Sequence, residues 1–131
     1  MGTNSNEIRA VLEKWVSSIQ QKNMDGILQN HSDDILMFDV PFPLQSKGIE
    51  EYQKTWDLFF QYSRGGKESF NLEELQIHAG DKVAFCTALI RLANSNTPQC
   101  RLTLGLRKIN NRWMIVHEHH SSHLEEQIFI L

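Results

Sequence analysis

Four of the chain's six histidines fall within ten residues, in MIVHEHHSSH at 114–123. Histidine titrates near neutral pH and is also a common metal ligand, so the stretch admits two chemistries. In an extended strand, alternate side chains point to opposite faces. Strict alternation puts His117, His119 and Ser121 on one face with Trp113 and Ile115, and Glu118 and His120 on the other with Met114 and Val116. It does not say which face looks inward. Two histidines at i and i+2, with Asp39 as carboxylate, would make a two-His, one-carboxylate metal face. The spacing is common, however, and HEHHS is not HExxH, because Ser121 stands where the second histidine is required. No metal site is therefore assigned. The second chemistry is acid/base work by a histidine facing a pocket beside a carboxylate. A third reading needs no chemistry, with these histidines hydrogen-bonded or solvated at a strand end.

Asp39 closes the apolar run ILMFD and shares a face with Ile35 and Met37 by alternation. An inward face would desolvate the carboxylate and make it a stronger base. The plainer role is to cap the DVPFP turn. Arg91, in TALIRLAN, alternates with Val83, Phe85 and Leu89. An arginine on an apolar face needs a partner, which could be Asp39, Glu118 or an anionic ligand.

These residues need a scaffold. Ile8, Leu12, Trp15 and Ile19 repeat at four, three and four, which predicts an amphipathic helix over about residues 5–22. NMDGILQNH reads as a short second helix, DDILMFDV as a strand and PFPLQSKG as a loop. A third helix starts near Gly48 with an inner face of Ile49, Tyr52, Trp56 and Phe59. Beyond Gly65–Gly66 the period changes to that of strands, over ESFNLEELQIHAG, VAFCTALIRLAN, QCRLTLGLRKI and WMIVHEHHSSH, with NNR as a hairpin turn. Helices segregated from an antiparallel meander predict an α+β fold, with three helices on the concave face of a curved sheet and a pocket between the layers.

The 131 residues fit a single domain, and the net charge of −3 without a basic run argues against nucleic acid as a partner. No segment is apolar enough to span a bilayer, and no leader-like stretch follows the N-terminus. Cys86 and Cys100 lack CxxC spacing and read as reduced and structural, which places the expected location in the cytoplasm.

The element order and the terminal W..VHEHHS resemble the SnoaL-like and ketosteroid-isomerase-like branch of the nuclear transport factor two-like superfamily, over roughly residues 7–123. Trp113, Val116, His117, His119 and Ser121 stand at the W-x-x-V-H-x-H-x-S of the SnoaL-like families and of the association domain of the calcium/calmodulin-dependent kinases. RLTLGLRKINNRW and ALIRLAN are similar to their neighbouring strands, with Arg91 at the arginine that reaches the association domain's pocket.

The resemblance implies a cone-shaped fold, a pocket, and a homodimer formed through the outer sheet face. It does not fix a reaction, since fold and function separate. Asp39 precedes Gly48 by the interval that separates the isomerase's base from its helix-opening glycine. The oxyanion-hole tyrosine falls on Trp15 and its partner acid near Leu104, so that half of the machinery is missing. The expectation is a cofactor-free pocket protein for an apolar small molecule bearing a carbonyl or carboxylate. If it is an enzyme, it isomerises, cyclises or dehydrates by proton transfer, with Asp39 as base and His117 or His119 as acid or electrophilic donor. Trp15, Tyr52, Trp56, Arg91, Leu104 and Ser121 would contact the ligand. The alternative is a non-catalytic ligand-binding or oligomerisation module.

Overall fold

The apolar stripes become one side of a two-layer sandwich. The computed structural model describes residues 2–123. Helix α1 (Thr3–Gln20) is followed by the short α2 (Met24–Leu28), strand β1 (His31–Phe38), the two-residue β2 (Ser46–Lys47) and helix α3 (Ile49–Tyr62). Strands β3 (Phe70–Ala79), β4 (Val83–Leu92), β5 (Cys100–Ile109) and β6 (Arg112–Ser121) follow among the described residues. Ile8, Leu12, Trp15 and Ile19 of α1 and Tyr52 and Trp56 of α3 are buried against the sheet, as the helical spacing predicts. From the sheet side they meet Leu102, Leu104 and Leu106, the clean alternation of β5. The fold class is the expected α+β arrangement, with helices on one side of a curved, unclosed sheet.

The six strands run in the order β2-β1-β6-β5-β4-β3. All pairs are antiparallel except β1 against β6, which is parallel. A parallel pair needs a long crossover, and α3 with the whole meander supplies one. The expected PFPLQSKG loop contains a strand, because Ser46 and Lys47 pair with Met37 and Leu36. Gly48 then opens α3 at φ +90, a conformation that suits glycine, while its N–H donates to the Ile35 carbonyl at 2.7 Å.

Three irregularities break the register of the sheet, the first between His31 and Leu36 where β1 pairs with β6. In β3 the register shifts between Glu73 and Gln76, with Glu74 at φ 56. In the β5–β6 hairpin, Asn110 and Asn111 both take positive φ in a tight turn, and pairing proceeds regularly to Leu106 opposite Ile115. The next pair is Gly105 with His117, so Val116 is an extra residue. This bulge reverses the phase of β6. Trp113 and Ile115 face the core before it, and Glu118 and His120 face the core after it.

Candidate active site

The bulge decides which histidines meet the cavity. Strict alternation grouped His117, His119 and Ser121 with the inward Trp113 and Ile115; the structure turns His117 and His119 to the outer face. There, Nδ1 of His117 bonds the Leu36 carbonyl at 2.7 Å, both rings pack edge-on to Phe38, and His119 is exposed. Ser121 is half-buried at the strand end and outside the cavity wall. The inward residues are Glu118, 0% exposed, and His120, 8% exposed.

A cavity of about 1220 Å³ opens between α3, the β1–β2 loop and the concave ends of the strands. It exceeds the roughly 300–1,000 Å³ usual for small-molecule sites. Its wall is mainly apolar, with Trp56, Phe59, Phe70 and Ile90 deep and Phe42 and Tyr62 at the exposed rim. The polar side chains that reach it include the exposed Glu51, Lys54, Arg64 and Glu68 and the buried Ser46 and Ser69. His120 does so from β6, and Asp39 from the end of β1, where its Oδ1 also accepts from the Val40 N–H at 2.8 Å. Cys100 lines the same wall, its thiol raised by burial and by the charge of Asp39. It is therefore a neutral wall group.

Behind His120 lies a buried hydrogen-bond network. Nε2 of His120 donates to Glu118 Oε1 at 2.9 Å. The other carboxylate oxygen, Oε2, accepts from Tyr52 Oη at 2.6 Å and from His31 Nε2 at 2.5 Å. Trp15 Nε1 donates to Tyr52 Oη at 3.2 Å, and the rings of His31 and Tyr52 stack at 4.6 Å. A carboxylate can only accept, so the ring nitrogens that face it carry the protons. Nδ1 of His120, with no hydrogen bond among the described residues, is then a lone pair. Burial alone would push the Glu118 carboxyl up. Hydrogen bonds from His120 and His31, and the charge these rings can carry, outweigh that and hold it at about 2. Burial pushes the Tyr52 phenol well above its usual 10.0, and the charge of Glu118 and the bond to it push it further. Tyr52 is thus a fixed donor.

The remaining expected residues separate. Trp56 lines the cavity. Trp15 and Tyr52 are buried behind the wall in the network, and Leu104 is core. Arg91 is corrected. Its alternation with Val83, Phe85 and Leu89 holds, but that is the outer face, and Nε pairs with Glu73 across the strands at 2.5 Å. Asp39 and the outward His117 and His119 are not brought together, and no metal-holding cluster occurs among the described residues.

Sequence reasoning missed His31, Glu118 and His120 as site residues. One signal for the last two was present: an isolated glycine inside a strand pattern marks a bulge, and Gly105 is that glycine. Nothing comparable marks His31, whose place depends on the parallel pairing of β1.

Comparison with known proteins follows the same outline. The profile of the SnoaL-like domain family matches residues 8–125. A nuclear transport factor two-like protein of unknown function from Pseudomonas putida has a solved structure with TM-score 0.85 and 28% identity, over 98% of this chain and 93% of that one. A candidate dehydratase of that family from Streptomyces avermitilis has TM-score 0.75 at 13% identity, over 94% and 98% of the two chains. A candidate ketosteroid isomerase from Parabacteroides distasonis has TM-score 0.69 at 15% identity, over 88% and 85%. The latter two likenesses are of fold. A search of curated proteins finds no match. No helix of the described residues is long and apolar enough to cross a membrane.

Proposed function

The chain belongs to the SnoaL-like domain family, and from that premise we propose that its cavity binds an apolar small organic molecule with a carbonyl group and moves a proton next to that carbonyl. The carrying observation is His120 at the cavity wall with Nε2 held by the buried Glu118. Its lone pair on Nδ1 takes the proton, and the ionised Glu118 stabilises the imidazolium that forms, as an acid behind a histidine does in hydrolases. His120 then returns the proton to a second position, which makes isomerisation, cyclisation or dehydration available without a cofactor. Asp39 is the second proton-handling candidate, a carboxylate on the same wall at the position the family resemblance gives to a base. The candidate isomerase and dehydratase among the structural neighbours agree with this class of reaction.

The test begins with carbonyl compounds that raise the melting temperature, followed by exchange of their α-hydrogens in heavy water. Replacing His120 by Asn should slow exchange by about 10²–10⁴-fold, the worth of a general acid–base group. Ligands that bind with no exchange, or exchange unaffected in that variant, would remove the role.

A second reading, a ligand-binding or assembly module, is favoured by one observation. Trp15 and Leu104, at the oxyanion positions, are both buried off the cavity and supply it no donor. The exposed Val83 and Phe85 on the outer face are where a second copy would pair. Dimer formation without exchange in the same assay would select this reading.

A further inference from the structure

We infer that Tyr52 and His31 are positioning residues: by occupying one oxygen of Glu118 they keep the other for the N–H of His120 Nε2, and so hold the lone pair of Nδ1 on the cavity side. The inference rests on the reading of His120 as the proton carrier, because the lone pair must be on the cavity side for that role.

The donors on Glu118 are unequally divided. Oε2 takes Tyr52 and His31, at 2.6 and 2.5 Å, and Oε1 takes His120 alone, at 2.9 Å. The His31 ring cannot easily change allegiance. Its Nδ1 is buried without a partner, so a proton moved there would become an unsatisfied buried N–H. The proton therefore stays on Nε2, pointing at Glu118. Tyr52 is held from behind, because its oxygen already accepts from Trp15 Nε1, which leaves its O–H for the carboxylate. His31 also lies 2.9 Å from Tyr52 Oη, so the two donors sit side by side on one oxygen. Every charged or titratable group in hydrogen-bond contact with Glu118 among the described residues is in this set: His31 from β1, Tyr52 from α3 and His120 from β6. On β5 the residue opposite is the apolar Leu104. His120 in turn faces Glu118, the Trp56 ring at 6.3 Å and Leu102 across the strand, and shares the cavity wall with Asp39 and Cys100.

The arrangement makes an unusual demand on the variant Glu118→Gln. A side-chain amide has one accepting oxygen and one donating nitrogen. Tyr52 and His31 both donate, so they draw the amide oxygen to the Oε2 position. The amide N–H then points at His120 Nε2, which must accept. The His120 proton moves to Nδ1, and the cavity now meets an N–H in place of a lone pair.

The experiment labels histidine with 15N and reads ring tautomers in the ligand-free protein. Wild type is expected as the Nε2–H form of His120, and Glu118→Gln as the Nδ1–H form, by a preference of at least about tenfold, the worth of one unsatisfied buried donor. If His120 keeps its Nε2 proton in Glu118→Gln, the amide has turned and the positioning role is overturned. Tyr52→Phe, which removes only the hydroxyl, is the second variant. Tyr52 makes no hydrogen bond to His120, so a shift or doubling of the His120 ring-nitrogen signals in Tyr52→Phe reports transmission through Glu118. Signals unchanged from wild type overturn it, whether or not Glu118→Gln folds. Because no ligand is present, a tautomer switch in a protein that exchanges no substrate hydrogen would retain the positioning role and sink the catalytic one.

Discussion

The buried carboxylate should make this protein specifically acid-labile, and the variant Glu118→Gln should abolish that lability. Glu118 is held at about 2 against an ordinary 4.5. The difference, at 1.36 kcal/mol per pH unit, corresponds to about 3 kcal/mol of stability. The folded-state value is depressed, so this contribution is fully present above about pH 4.5 and is lost as pH falls towards 2. A second route reaches a similar size, since removing one partner of a buried, hydrogen-bonded charge pair costs about 3–5 kcal/mol. That is a large share of the 5–15 kcal/mol typical of a domain, and for a chain of this length it is about 10 °C in melting temperature. Urea unfolding followed by circular dichroism, at several pH values from 7 to 2.5, measures it in both proteins. The gap between wild type and Glu118→Gln should be about 3 kcal/mol at pH 7 and should close towards pH 2.5, where wild-type Glu118 approaches the neutral state that Gln imitates. Other carboxylates titrate in both proteins and cancel. A gap that stays constant across the range, or one absent at pH 7, would refute the reasoning.

Three further outcomes follow from the placement of side chains. Arg91→Ala should cost no more than about 1 kcal/mol in urea unfolding, because its ion pair with Glu73 is partly exposed on the outer face. Ligand affinity in the cavity should be unchanged, as calorimetry can test. Gly48→Ala should destabilise by about 1–3 kcal/mol, because φ +90 strains any residue with a Cβ even though that Cβ would meet the Asp33 carbonyl oxygen at an ordinary contact distance of 3.7 Å. A melting temperature equal to wild type would contradict that. His119→Ala should leave hydrogen exchange of bound carbonyl compounds as in wild type, whereas His120→Asn slows it. Equal losses in both would mean that the inward face of β6 has been misidentified.

The cavity wall and the network behind it differ in how far sequence could reach them. Tyr52 and Trp56 are visible from helical spacing, and Asp39 from its place at the end of an apolar strand. These are local matters, since periodicity within one element already assigns a face. The choice among the clustered histidines is not local. A bulge belongs to two strands, and it appears only when the Asn110–Asn111 turn sets a register that Gly105 then breaks. Reading β6 alone applies a period of two through a point where the count changes. Arg91 shows the same limit from the other side. Its face was read correctly, and its destination was not, because alternation says which residues go together and not which layer covers them.

What the amino-acid sequence determined by itself is the inventory: two long amphipathic helices and the short α2, a meander, an α+β layering, and a family likeness carried by the final strand. Each follows from spacing within a single segment, where backbone geometry alone links residue number to direction. The tertiary structure decided which groups meet. The parallel return of β6 beside β1 sets His31 against Glu118, residues 87 positions apart, and the packing of α3 over them adds Tyr52. The bulge at Val116 turns His120, in place of His117 and His119, towards the cavity. These are pairwise events between distant segments, fixed by register and packing, and no single segment carries the information that sets them.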